Sequence, residues 1–135
     1  MALFPWNKKK GPVLPQPKSD WPWILTVGGY RGSSSDPAWR EIEEELYELT
    51  RDSDSYLILE QKNPHDPKEY WFIQCAVAIQ GPDQGKYAVE VGFSSSDGSQ
   101  LWDRMVPGPG EAAVYFSDAY YHKTVDFSGF QKMDL

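Results

Sequence analysis

Between residues 55 and 93 three strand-like segments follow one another so closely that only one kind of sheet accommodates them. They are 55–62 (Ser-Tyr-Leu-Ile-Leu-Glu-Gln-Lys), 70–79 (Tyr-Trp-Phe-Ile-Gln-Cys-Ala-Val-Ala-Ile) and 86–93 (Lys-Tyr-Ala-Val-Glu-Val-Gly-Phe). The connectors, 63–68 and 80–85, are short and rich in Pro, Gly, Asn and Asp, the residues that favour tight turns. A parallel crossover needs a dozen or more residues, so these neighbours must pair antiparallel, as a meander.

Side chains alternate between the two faces of a strand. In the middle segment Trp71, Ile73, Cys75, Val77 and Ile79 share one face, and Tyr70, Phe72, Gln74, Ala76 and Ala78 the other. In the next, Tyr87, Val89, Val91 and Phe93 oppose Lys86, Ala88, Glu90 and Gly92. One face is apolar and the other mixes small and polar residues, the pattern of an antiparallel sheet covered on one side and open on the other.

The flanking chain supplies the cover. Segment 23–30 reads as a first strand, ended by glycines and a Gly32-Ser-Ser-Ser35 loop. Asp36 then suits a helix N-cap, with Pro37 at the first helical position. Trp39, Ile42, Leu46 and Leu49 recur at helical spacing, which predicts a helix over 36–50 with an apolar stripe. Segment 99–106 extends the meander, Pro107-Gly-Pro-Gly110 resets the chain, and 111–122 has a helical pattern through Ala112, Phe116, Ala119 and Tyr120. Segment 124–130 reads as an edge strand. The sum is one α+β domain over 21–135, an antiparallel sheet of about five strands with two helices on one face. Residues 1–20, with prolines at 5, 12, 15 and 17, read as a loose Pro/Lys-rich arm in which Phe4 and Trp6 are the aromatic residues.

Charge narrows the function classes. The chain has 20 acidic and 13 basic residues, a formal net charge of -7, and four of its lysines (Lys8, Lys9, Lys10, Lys18) lie in the first 20 residues. The folded part is therefore more acidic than the whole, and such a field repels phosphates and attracts basic partners, so direct nucleic acid binding is not expected. The lone Cys75 permits no intrachain disulfide and fits a reducing compartment. No apolar run approaches the length of a membrane span, and the N-terminal charges follow the apolar start, the wrong order for a signal peptide. The expectation is a cytoplasmic protein without membrane contact.

Catalytic constellations are not found. The histidines, His65 between two prolines and His122 beside Lys123, read as a turn residue and a helix-end cation. His65-Asp66 and Asp52-Ser-Asp54 fall short of a zinc or calcium ligand set. The runs Ser33-Ser-Ser35 and Ser94-Ser-Ser96 lack the frame of a nucleophile elbow and read as loops, and no phosphate loop occurs. Neither a cofactor nor a metal is expected, and the protein is not expected to be an enzyme. What remains is surface. Glu41, Glu43, Glu44, Glu45 and Glu48 lie mostly off the apolar stripe of the first helix, followed by Asp52 and Asp54. Six tryptophans and eight tyrosines exceed what this core requires, which offers Trp102, Tyr115, Tyr120 and Tyr121 as contact residues.

The series Trp39, Ile42, Leu46, Leu49, then Tyr56-Leu-Ile-Leu-Glu60, Tyr70-Trp-Phe-Ile-Gln74, Tyr87-Ala-Val-Glu-Val91 and a late helix ending near Tyr120-Tyr121 resembles small bacterial α+β proteins of the polymorphic-toxin immunity type. The resemblance covers roughly residues 36–133 and implies an antidote that binds and neutralises a cognate, basic toxin domain. Glu41, Glu44, Glu45, Glu48, Asp52, Asp54 and Trp102 are the residues expected to make that contact. It is also compatible with a secretion chaperone or adaptor that takes an effector segment on the open sheet face around Gln74, Ala76, Ala88 and Glu90. A third possibility, a small hydrolase or ligand-binding protein, requires a deep pocket lined by Trp, Tyr and one of Glu60, Glu90 or Asp103.

Overall fold

A computed structural model describes residues 14–29 and 32–134. The elements run β1 (Trp23–Val27), β2 (Gly32–Ser35), α1 (Trp39–Tyr47), β3 (Leu57–Asn63), β4 (Asp66–Val77), β5 (Tyr87–Ser95), β6 (Gly98–Val106), α2 (Pro109–His122) and β7 (Gln131–Lys132). They build one antiparallel sheet of order β2-β1-β3-β4-β5-β6-β7, with the meander β3 to β6 at its centre.

The register places the apolar alternates in rows across the sheet. Leu25, Leu59, Ile73, Val91 and Trp102 form one such row, and Val27, Leu57, Cys75 and Val89 the next. Ile42 and Leu46 of α1 and Ala112, Phe116 and Ala119 of α2 close over this face, all fully buried. Each large apolar side chain so buried contributes about 1.5–3 kcal/mol. The alanines keep the contact stripe of α2 thin, and Tyr120 Oη donates to the Pro37 carbonyl at 2.7 Å, tying α2 to the start of α1.

The sheet has seven strands among the described residues, against about five expected. Both additions are short edges. Gly32–Ser35, expected as a loop, pairs with β1 from Ile24↔Ser35 to Val27↔Gly32, and Thr26 Oγ1 lies 3.0 Å from Ser33 Oγ. Serine has little strand propensity, and here the register of β1 decides. Segment 124–130 is not the last strand: Phe127 and Phe130 turn inward onto Trp102 and Tyr115, with ring centroids 5.4 and 5.1 Å away. That consumes the segment in a turn at Gly129 (φ 81°), so pairing starts only at Gln131.

Asp36 does not cap α1. It turns the corner from β2 with φ 52° while its N–H bonds Trp23 O at 2.9 Å, a left-handed conformation that Asp tolerates. Ala38 is the N-cap, without a side-chain hydrogen bond, and the helix is shorter than the 36–50 pattern, with Leu49 packed on the core beyond its end.

The arm boundary drawn at residue 20 falls inside packed chain. Trp71 Nε1 donates to Pro15 O at 3.1 Å, and Gln16 exchanges two hydrogen bonds with the Val125 backbone at 2.7 and 3.1 Å. Gln61, the buried polar residue of the core, accepts from Lys18 N at 2.9 Å and donates to Lys18 O and Trp21 O at 2.7 and 3.0 Å. Paired this fully, the buried amide leaves no donor or acceptor unsatisfied. Phe4, Trp6, Lys8, Lys9, Lys10 and Tyr30 lie outside the described residues.

Candidate partner-binding surface

Because α1 spends Ile42 and Leu46 on the core, its remaining turns point to solvent. Glu41, Glu43, Glu44 and Glu48 are exposed and Glu45 is half-buried. Arg40 answers one of them, with Nε 3.1 Å from Glu44 Oε2. This pair is exposed and adds little stability.

The acidic strip continues into the loop after the helix. Thr50 N bonds Ser55 Oγ at 3.0 Å, Asp52 N bonds Thr50 Oγ1 at 3.3 Å, and Ser55 N bonds Asp52 O at 3.0 Å. These bonds fix the turn that presents Asp52 and Asp54 outward, both exposed. The loop sits tightly on the turn that follows β1, since a Cβ at Gly28 would meet Asp54 O at 2.3 Å. A hollow of about 250 Å³ beside it is lined by Glu45, Glu48, Asp54 and Tyr56 among others.

Between the helices runs a groove of about 310 Å³, lined by Trp39, Glu43, Tyr47, Ala113, Val114 and Asp118 among others. Tyr47 (55% exposed), Val114 (57%) and Tyr121 (56%) are left in water along this helical layer. Trp39 packs at a tilt against Tyr120 and Tyr121, with centroids 6.0 and 5.9 Å apart, at the aromatic end of the groove. Spacing alone named Tyr121 but missed Tyr47 and Val114. The signal was present, since Tyr47 lies one residue past Leu46 and Val114 two before Phe116, off the buried stripe of each helix.

Six of the seven expected contact residues, Glu41, Glu44, Glu45, Glu48, Asp52 and Asp54, thus lie on one continuous stretch of surface. Trp102 does not join them. It is only 7% exposed, packed against Phe127 and capped by the Lys132 ammonium 5.7 Å from its ring. β6 is not an edge strand and the 124–130 turn covers it. Tyr115 and Tyr120 are half-buried, Tyr115 bonding Arg104 Nη1 at 2.8 Å.

On the opposite face of the sheet, Tyr56, Ile58, Gln74, Ala76, Ala88 and Glu90 surround a depression of about 350 Å³. Of the three carboxylates expected for a pocket, Glu90 lines it and Glu60 and Asp103 do not; no tryptophan does. Gln74 Nε2 donates to Glu90 Oε1.

His65 lies exposed at the β3–β4 hairpin and His122 exposed at the end of α2, on separate elements. Burial, with the Glu90 carboxylate adding to it, pushes the Cys75 thiol up to about 12, far from a thiolate at neutral pH. Among the described residues no group of three or more His, Cys, Asp or Glu could hold a metal ion, and no helix is long and apolar enough to cross a membrane. The chain matches no protein-family model, no curated protein and no solved structure.

Proposed function

We propose that this protein binds a basic partner protein through the solvent face of its two helices, and that it does so as an immunity protein occluding a toxin domain. The observation that carries the reading is the helical groove, where exposed Tyr47 and Val114 are flanked by Glu43 and Asp118 and continued by the acids of α1. Aromatic anchors inside a polar rim are the anatomy of an energetic interface, and the carboxylates supply the long-range attraction. A basic substrate cleft, shaped for phosphates, is the complementary surface, so a nuclease domain is the fitting class of toxin. The same acids repel nucleic acid itself.

The test is capture of the partner from the native cell lysate, followed by association kinetics against salt. Glu43→Lys with Glu44→Lys should slow association at least about tenfold at low salt and flatten its salt dependence, because steering is lost. Tyr47→Ala should instead accelerate dissociation, by about tenfold or more if Tyr47 is a hot spot. A captured partner whose binding ignores all three changes removes the helical face from the assignment. The uncovered sheet face favours a second reading, an adaptor for an extended segment. It predicts that the partner binds equally well after denaturation.

A further inference from the structure

On the open face the central strands place their smallest side chains side by side. Ala76 of β4 pairs with Ala88 of β5, Met105 of β6 continues the row, and in the next row Gln74, Glu90 and Asp103 stand in line. The two alanines form an apolar floor, and Tyr56, Ile58, Gln74 and Glu90 rise around it to enclose the depression of about 350 Å³. That volume is at the lower end of the range found for binding pockets.

The charge beside this floor is unbalanced. Glu90 and Asp103 face each other directly across the β5–β6 register, an arrangement of like charges that destabilises a sheet. Gln74 donates to one Glu90 oxygen but brings no charge. Lys86, in the turn just before β5, is held by Asp83 at 3.2 Å. Among the described residues no salt bridge neutralises Glu90 or Asp103, and Glu90 is half-buried at an apolar floor, where a counter-charge gains more than it does in open water. Tyr56 lines both this depression and the hollow beside Glu45, Glu48 and Asp54, so the two open next to each other across one ring.

We propose that the Ala76–Ala88 depression receives an arginine side chain of the basic partner protein, its aliphatic stem on Ala76, Ala88 and Ile58 and its guanidinium between the Tyr56 ring and the Glu90 carboxylate. Arginine fits better than lysine because its planar head stacks on an aromatic face and forks onto a carboxylate, whereas an ammonium does only the second and is more strongly hydrated. This deepens the proposed function and rests on it: the contact surface would wrap from α1 over Tyr56 onto the sheet.

The probe is the peptide acetyl-Ala-Arg-Ala-amide, titrated into the full chain and followed by backbone amide NMR, with the neutral citrulline peptide as its counterpart. The arginine peptide should shift the amides of Tyr56, Ala76, Ala88 and Glu90, and citrulline should bind about tenfold more weakly, the scale of one charge-assisted hydrogen bond. Glu90→Gln, which preserves shape, should cost a similar factor; Ala88→Leu, which fills the floor, should abolish the shifts; Glu44→Lys should leave them unchanged. Shifts confined to α1, equal binding of citrulline, or no shifts at all would each overturn the arginine site. They would leave the helical reading to its own kinetic test. Arginine binding at Glu90 together with partner kinetics indifferent to Glu43→Lys and Glu44→Lys would separate the two in the other direction.

Discussion

The two faces of β4 show how one strand does two jobs. On one side Trp71, Ile73 and Cys75 are fully buried beneath the helices; on the other Phe72, Gln74 and Ala76 are half-buried with no helix over them. The covered side chains are chosen by volume, since each touches several neighbours and leaves a cavity if shortened. The uncovered ones are held by pairwise arrangements, such as the Phe72 ring lying over Gly92 or Gln74 bonded to Glu90. Stability is concentrated on the first face, and side chains on the second can change with less loss of packing.

The sharpest way to break that contrast is to truncate adjacent aromatics of opposite face. Trp71→Ala should destabilise by about 3–5 kcal/mol, the range for emptying a buried aromatic site. The loss includes its bond to Pro15 O and its edge contact with Trp23, centroids 5.9 Å apart. Phe72→Ala should cost about 1–2 kcal/mol, because only part of its surface leaves water on folding. Urea unfolding of both variants measures the difference; equal losses would mean that something covers the open face.

Gln61 is the polar exception on the covered face, and its replacement probes whether the 14–20 segment belongs to the folded unit. Gln61→Leu strands three backbone groups, Lys18 N, Lys18 O and Trp21 O. Some of these regain water as the segment lifts, so the expected loss is about 2–3 kcal/mol. Amide hydrogen exchange at Lys18 should accelerate with it, while the centre of β4 stays protected.

A smaller effect separates two glycines. A Cβ at Gly28 would meet the Asp54 backbone oxygen at 2.3 Å, whereas at Gly92 it would meet the Phe72 ring at 2.3 Å. Backbone cannot step aside, so Gly28→Ala should cost about 1–3 kcal/mol as an overpacked site. The Phe72 ring lies half-buried on the uncovered face and, as a side chain, can give way more readily than backbone, so Gly92→Ala should cost less than Gly28→Ala in the same thermal unfolding assay.

These contrasts explain which parts were readable beforehand. The meander and the two buried stripes were legible because alternation at period two and recurrence at three to four are local properties of residues 39–49, 57–77, 87–106 and 112–120. The short edges were not. Gly32–Ser35 becomes a strand only because β1 offers its free side, and 124–130 becomes a turn only because Phe127 and Phe130 find Trp102 and Tyr115. The acidic strip was legible because glutamates off an apolar stripe tend to face solvent, as Glu41, Glu44 and Glu48 do, while Glu45, nearer the stripe, is half-buried. The exposure of Trp102 was misjudged for the opposite reason: burial of one aromatic depends on a loop more than twenty residues later. The open face around Gln74, Ala76, Ala88 and Glu90 was legible from alternation within each strand, but that Ala76 lies directly opposite Ala88 needed the register between the two strands.

Cys75 joins the two faces, and it gives the subtlest prediction. Its thiol lies in the core, yet after burial the second cause of its raised pKa, about 12, is Glu90 on the open side. The native state therefore keeps a proton that the unfolded chain releases near the ordinary thiol value of about 8.5. This stabilising contribution is fully present below that pH and is lost as the pH rises toward 12, with a slope of at most about 1.4 kcal/mol per pH unit. Tyr87 and Tyr120, whose pKa values are also raised chiefly by burial, add losses of the same sign, so wild-type alkaline unfolding alone cannot isolate the thiol. Comparison with Cys75→Ala does so. The variant carries a constant packing penalty at neutral pH, and its deficit relative to wild type should shrink as urea unfolding is repeated from about pH 8 to about pH 10.5. Introducing Glu90→Gln beside the native cysteine should slightly weaken the alkaline loss, because the field of the carboxylate no longer opposes the thiolate. A deficit that stays flat across the range would mean that the thiol already meets water from the open face.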